Sequence, residues 1–119
     1  MKRLALLVVI FIFSCKNEIV EKPKNLIDES TMKNILYDLA MLQAIKGHDM
    51  MLLPKNKIDP KKYIYLKYHI DSIQLVKSNR YYAADISNFK KMYEEILERI
   101  KIEKQENEKT LQRKNKQPK

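Results

Sequence analysis

Residues 86–102, ISNFKKMYEEILERIKI, set Phe89, Met92, Tyr93, Ile96, Leu97 and Ile100 three and four positions apart. That spacing gathers side chains on one side of a 3.6-residue turn, so the stretch reads as an amphipathic helix, capped at its start by Asp85 or Ser87. Glu95 and Arg99 stand four apart in the favourable order, an intrahelical ion pair worth ~0.2–0.5 kcal/mol. Beyond Ile102 only Leu111 is apolar. Residues 103–119 therefore predict a solvated helical extension that frays into a basic tail.

A helix with a single apolar face needs others to cover it, and the upstream sequence supplies them. Met32, Ile35, Leu36, Leu39 and Leu42 repeat the helical spacing after Asp28 or Ser30, either of which caps exposed backbone donors, and Gly47 marks the expected end. Asp59 followed by Pro60 is a cap with proline at the first helical position, where a missing N–H costs nothing. This second helix should run to about His69, with Tyr63, Ile64, Leu66, Lys67 and Ile70 on its apolar side and Tyr65 and Tyr68 at the border. Asp71 caps a third, carrying Ile73, Val76 and the segment SNRYY from Ser78 to Tyr82. Between the first two helices, His48 to Asp59 mixes MMLL with Pro54, Lys55, Asn56 and Lys57. Its apolar half extends the first helix, folds back over the core, or forms a partner-binding patch, since methionine-rich surfaces also bind loosely. No strand alternation, internal repeat or second domain is visible. The expected fold is all-α, a small bundle of three to four helices over residues 25–102.

The N-terminus, MKRLALLVVIFIFSC, has a different character. Lys2 and Arg3 precede an apolar run from Leu4 to Phe13 that is too short to span a bilayer, and the run ends at Ser14 and Cys15. This is the pattern of a lipoprotein signal peptide, residues 1–14, cleaved to leave Cys15 as a lipidated N-terminus carrying diacylglycerol and a further acyl chain such as palmitate. In the box Ile12, Phe13, Ser14, Cys15 the residue Phe13 departs from the small residue that the strict bacterial pattern prefers. Residues 15–24 then form a lipidated cysteine and a polar, proline-containing stalk. Lys16 at the next position lacks the inner-membrane retention signal, so the expected address is the outer membrane, with Lys16, Asn17 and Glu18 weakly similar to a surface-export tag.

Composition removes many chemistries. The formal net charge is +9, of which the leader holds two units in Lys2 and Arg3. The only cysteine is the expected lipid site, which leaves no disulfide or thiolate. A single glycine excludes most phosphate-cradling loops, and His48 and His69 show no metal-ligand spacing. No cofactor and no metal are expected. Asp38, Ser78 and Asp71 are polar groups in otherwise structural surroundings. A base–nucleophile pair of Asp38 and Ser78 lacks an orienting group and an oxyanion hole, so no catalytic residue is assigned. The structural alternative has Asp38 accept a hydrogen bond from Tyr81 or Tyr82, tying the first helix to the third, with Asp38→Ala lowering thermal stability. Lys109, Arg113, Lys114, Lys116 and Lys119 give the tail the charge of an anion binder. An exported chain meets lipid phosphates and peptidoglycan rather than nucleic acid, and a plain solubilising tail is the competing reading.

The segments PKNLIDESTMKNILYDLAMLQA, YLKYHIDSIQLVKSNRYYA and YEEILERI resemble a family of small Bacteroidota lipoproteins carrying an α-helical domain of unknown function. Pro23, Leu26, Ile27, Met32, Leu36, Asp38, Lys67, Tyr68, Ile70, Ser78 and Tyr82 are the matching positions, and Val76 stands where the family usually has a larger aromatic. The resemblance implies an envelope lipoprotein and supplies no substrate, cofactor or reaction. The expected role is that of a non-enzymatic interaction or accessory protein at the outer membrane. A helical chaperone or carrier with an apolar groove between the first and third helices is the alternative, and a lipid-tethered enzyme is the third.

Overall fold

The computed structural model describes residues 19–116; the expected signal peptide, Cys15 and Lys119 lie outside them. Five helices appear among the described residues, and no strand: α1 (Glu29–His48), α2 (Leu52–Lys55), α3 (Pro60–Tyr68), α4 (Ser72–Ala84) and α5 (Ile86–Asn115). Each of the four longer helices starts on an aspartate whose carboxylate accepts from backbone N–H groups of the first turn. Asp28 takes Thr31 N, Asp59 takes Lys61 N and Lys62 N, Asp71 takes Gln74 N, and Asp85 takes Asn88 N. The Thr31 side chain first and its backbone N–H second hold the Asp28 carboxyl below the usual carboxylate range, and the backbone N–H of Lys62 and then of Lys61 do the same for Asp59.

The fifth helix is the single turn α2, in the segment that the sequence left open. The chain folds back there and only Leu53 reaches the core, while Met50, Met51 and Leu52 are exposed. α1 ends one residue past Gly47, at His48; the Asp49 N–H closes the last turn on Ile45 O, and Gly47 has no positive φ. Since a Cβ at Gly47 would meet nothing within 4 Å, Gly47→Ala is expected to stabilise the domain by about 0.5–1 kcal/mol, read as a shift in denaturation midpoint. Positive φ is taken instead by Lys57, after α2, and by His69, at the end of α3.

α1 is the central element and packs against α2, α3 and α5, while α4 packs against α5. Met32, Ile35, Leu36, Tyr37 and Leu42 of α1 meet Ile64 of α3, Tyr82 of α4, and Met92 and Ile96 of α5, with Ile27 and Leu53 closing the core. Each outer helix thus commits a narrow stripe. Leu66, placed on the apolar side of its helix by the sequence, is 75% exposed, and Ile73, Val76 and Leu97 also face outward. On α4 the inward positions are Leu75, Ser78 and Tyr82.

α5 runs parallel to α1 along a polar seam. Asn88 donates to Glu29 (3.3 Å), Lys33 pairs with Glu95 (2.6 Å), Arg99 Nη1 donates to Asn34 (2.9 Å) and the Tyr37 hydroxyl donates to Glu103. The expected Glu95–Arg99 pair is therefore replaced. Glu95 crosses to α1, and Arg99 bonds Glu103 (3.1 Å) while stacking over the Tyr37 ring at 3.8 Å. Helix geometry allows pairing both one turn up and one turn down, and the tyrosine hydroxyl draws Glu103 into place. Beyond Glu103, α5 continues to Asn115 and carries Lys109, Arg113 and Lys114 about 32–39 Å along the axis from Asn88. The basic end of α5 and the segment leading into α1 therefore occupy opposite poles.

Candidate functional site

Ser78 is fully buried, and its position explains why a hydroxyl is there. The Ile27 N–H donates to Ser78 Oγ (3.0 Å), the Tyr82 hydroxyl donates to Ile27 O (2.7 Å), and Gln74 Nε2 donates to Asn25 O (3.0 Å). Gln74, Ser78 and Tyr82 are four apart, so one face of α4 presents a ladder of polar side chains to an extended stretch that has no strand partner of its own. Upstream, the Leu26 N–H bonds back to Pro23 O (3.2 Å), which turns the stalk over so that residues 19–25 lie along Lys77 and Arg80 of α4. Ser78 and Tyr82 thus clamp the segment that leads into α1 onto α4. Gln74 and Ile27 have no signal of their own in the sequence; the four-residue polar repeat on α4 is the trace they leave.

Asp38 has different partners from those expected. Neither Tyr81 nor Tyr82 bonds it: Tyr82 is held by Ile27, and Tyr81 packs edge-to-face on Tyr82 with ring centroids 5.6 Å apart. Both sit on α4, whereas Asp38 lies on the side of α1 that faces α3. There Asp38 Oδ2 accepts from Tyr68 OH (2.7 Å) and Lys67 Nζ (2.6 Å), and the ammonium lies 5.5 Å from the Tyr63 ring centroid. The bond to Asp38, followed by the contact with Tyr63, holds the Lys67 ammonium above its ordinary range. The cluster welds α1 to α3, so the stability loss expected for Asp38→Ala stands on a new pair of helices.

Burial, and then the bond to Asp38, push the Tyr68 hydroxyl up from 10.0 to about 12. A pKa raised by folding means that stabilisation is complete below pH 10 and is lost as pH rises through about 12. Alkaline titration of the native domain should therefore show Tyr68 among the late tyrosinates, beside Tyr37, raised by its bond to Glu103, and Tyr82, raised by burial, and Tyr68→Phe should remove one late step and its share of the stability lost in this window. A Tyr68 that ionises with the exposed tyrosines would contradict the arrangement.

Two concavities matter further. One, of about 650 Å³, lies between the stalk and α4 and is lined by Ile19 to Asn25 with Lys77 and Arg80. The other, of about 540 Å³, opens between α1, α4 and α5 and is lined by Leu36, Leu39, Leu75, Val76 and Tyr93 among others. His48 and His69 are both exposed. Among the described residues no group of three His, Cys, Asp or Glu side chains converges as metal ligands, no buried side-chain nitrogen or oxygen lacks a partner, and no helix is long and apolar enough to cross a membrane.

A small all-α domain with a clamped N-terminal lead-in is the class that this geometry defines. The chain belongs to the family described as domain of unknown function (DUF4296), which matches residues 23–106. The match begins at Pro23, whose carbonyl closes the turn before the clamp, and runs past Glu103, where the α1–α5 seam ends. No curated protein and no solved structure matches the chain.

Proposed function

We propose that the chain is a Bacteroidota envelope lipoprotein, cleaved before Cys15 and held by its lipid at the outer membrane, whose helical domain serves as a non-enzymatic interaction or accessory module. The observation that carries this reading is the clamp at Ile27 placed twelve residues after Cys15. A short stalk that ends in a buried, hydrogen-bonded attachment point suits a domain worn at a fixed position on a tether. The polar residues that a catalytic reading needs, Asp38 and Ser78, are engaged in ties between structural elements.

The anchor is tested by intact mass and by labelling with an alkynyl fatty acid. Wild type should carry acyl chains on Cys15 and fractionate with the outer membrane, and Cys15→Ala should lose both. Crosslinking in intact cells then compares the same two forms. An accessory module should capture one defined partner, and recovery of that partner with Cys15→Ala would assign recognition to the domain rather than to the tether.

The apolar groove between α1 and α4 favours the carrier or chaperone as a second reading, because Val76 and Tyr93 on its walls are exposed. Suppression of aggregation of several unrelated unfolded proteins, lost in Val76→Asp, would select that reading over the accessory one.

A further inference from the structure

The stalk-side groove gathers cations at one pole of the domain. Lys22 and Lys24 come from the stalk and Lys77 from α4, with Arg80 beside them and Glu21 as the one acid in the lining. All three lysines are exposed, and among the described residues no carboxylate pairs with any of them. Elsewhere Lys33, Lys67, Lys90 and Lys101 each have an acidic partner, whereas Lys46, Lys55, Lys61 and Lys62 are, among the described residues, without a carboxylate partner like the groove lysines; what distinguishes this pole is the gathering of its cations along one groove.

Apolar side chains lie at the same pole. Ile19 lines the groove and is 91% exposed, and Val20 shares the lining of a neighbouring concavity with Ala84 and Asp85, at the corner where α4 gives way to α5. Ile86, the first residue of α5 after that corner, is 78% exposed. Unpaired lysines beside exposed isoleucines form the combination that settles at a bilayer surface: ammonium groups at the phosphates and branched side chains at the acyl boundary.

The covalent chain brings such a surface within reach. Four peptide steps separate Ile19 from Cys15, at most about 14 Å when extended, so a lipid on Cys15 confines this pole to the headgroup layer. The basic end of α5, at the opposite pole, is carried away from it.

We infer that the groove between the stalk and α4 binds the phosphate of anionic membrane lipid headgroups, those without a compensating cationic group, through Lys22, Lys24 and Lys77, seating the domain on the bilayer that anchors it. The inference rests on the lipoprotein reading. Each lysine near an anionic surface contributes on the order of a fivefold gain in occupancy. The three together hold the pole down without the slow exchange of a deep pocket, and the contact weakens with salt over a Debye length of ~8 Å.

The test reconstitutes the full chain, purified from membranes, into lipid nanodiscs of phosphatidylcholine alone or with phosphatidylglycerol, and measures lysine acetylation rates site by site by mass spectrometry. Lys22, Lys24 and Lys77 should label several-fold more slowly in the anionic discs. Lys46 and Lys55, towards the other end of the roughly 30 Å helix α1, should not change. Lys77→Gln should restore fast labelling of Lys22 and Lys24 in the anionic discs. Equal rates in both discs with Cys15 lipidated, or protection spread over all exposed lysines, would overturn the groove and leave the anchor standing. Equal protection by inorganic phosphate in phosphatidylcholine discs would overturn the assignment to a headgroup. The mass of the N-terminal peptide reports lipidation separately, so a chain found unlipidated but selectively protected would overturn the anchor and not the groove.

Discussion

Ile64→Ala is expected to destabilise the domain by about 2–5 kcal/mol, a large part of the 5–15 kcal/mol available to a domain of this kind. Ile64 is the one fully buried side chain of α3, and that helix otherwise holds on through partly buried Tyr65 and Tyr68 and the half-exposed cluster at Asp38. Truncation removes the transfer free energy of three carbons and leaves a hole between two helices joined through a short flap, so relaxation is limited. Leu66→Ala, two residues on, removes as many carbons from a side chain that is mostly in water and should change stability by no more than about 0.5 kcal/mol. Urea denaturation followed by circular dichroism separates the two. Equal effects would mean that α3 is rotated relative to α1.

Ser78→Ala should cost about 1–3 kcal/mol despite deleting a single oxygen, because it leaves the Ile27 N–H buried and unpaired. The penalty is the desolvation of that donor rather than the loss of one ordinary bond. Tyr82→Phe removes the donor to the carbonyl of the same residue. The double variant is expected to cost less than the sum, since once either bond is lost the lead-in segment peels from α4 and the other bond has less to hold. Hydrogen exchange gives a local readout: the Ile27 amide should exchange much faster in Ser78→Ala than in wild type. Continued slow exchange would show that another acceptor has replaced the hydroxyl and would sink the clamp.

The helices and their starting points were legible because capping and periodicity act within one turn. Asp28, Asp59, Asp71 and Asp85 each sit one residue before a helix and bond a backbone N–H two or three residues on, so the chain carries those instructions locally. Gly47 marks the end of α1 to within one residue, but it does not supply the left-handed cap that a glycine usually gives. Here Asp49 closes the helix and His69, not a glycine, adopts the left-handed turn.

Faces were less legible than elements. Tyr63, Ile64, Leu66 and Ile70 are all apolar or amphipathic, and spacing cannot say which of them meets a neighbour; contact with α1 selects Ile64 and leaves Leu66 outside. The polar ties were least legible. Asp38 finds Tyr68 at a separation of 30 residues, Ile27 finds Ser78 at 51, and Tyr37 finds Glu103 at 66. Sequence reasoning singles out Asp38, Ser78, Tyr81 and Tyr82 as structural candidates and pairs Asp38 with tyrosines of α4. The docking of α3 against α1 decides otherwise.

By itself the sequence determined that this chain forms capped amphipathic helices in an all-α domain, since backbone caps and a 3.6-residue apolar period depend only on residues within a turn of one another. The tertiary structure alone decided the parallel seam between α1 and α5, the Ile27 clamp, and the gathering of Lys22, Lys24 and Lys77 at one pole. Those depend on how rigid helices settle against one another, and side-chain bonds over tens of residues exist only after that packing has placed both ends within 3 Å or so.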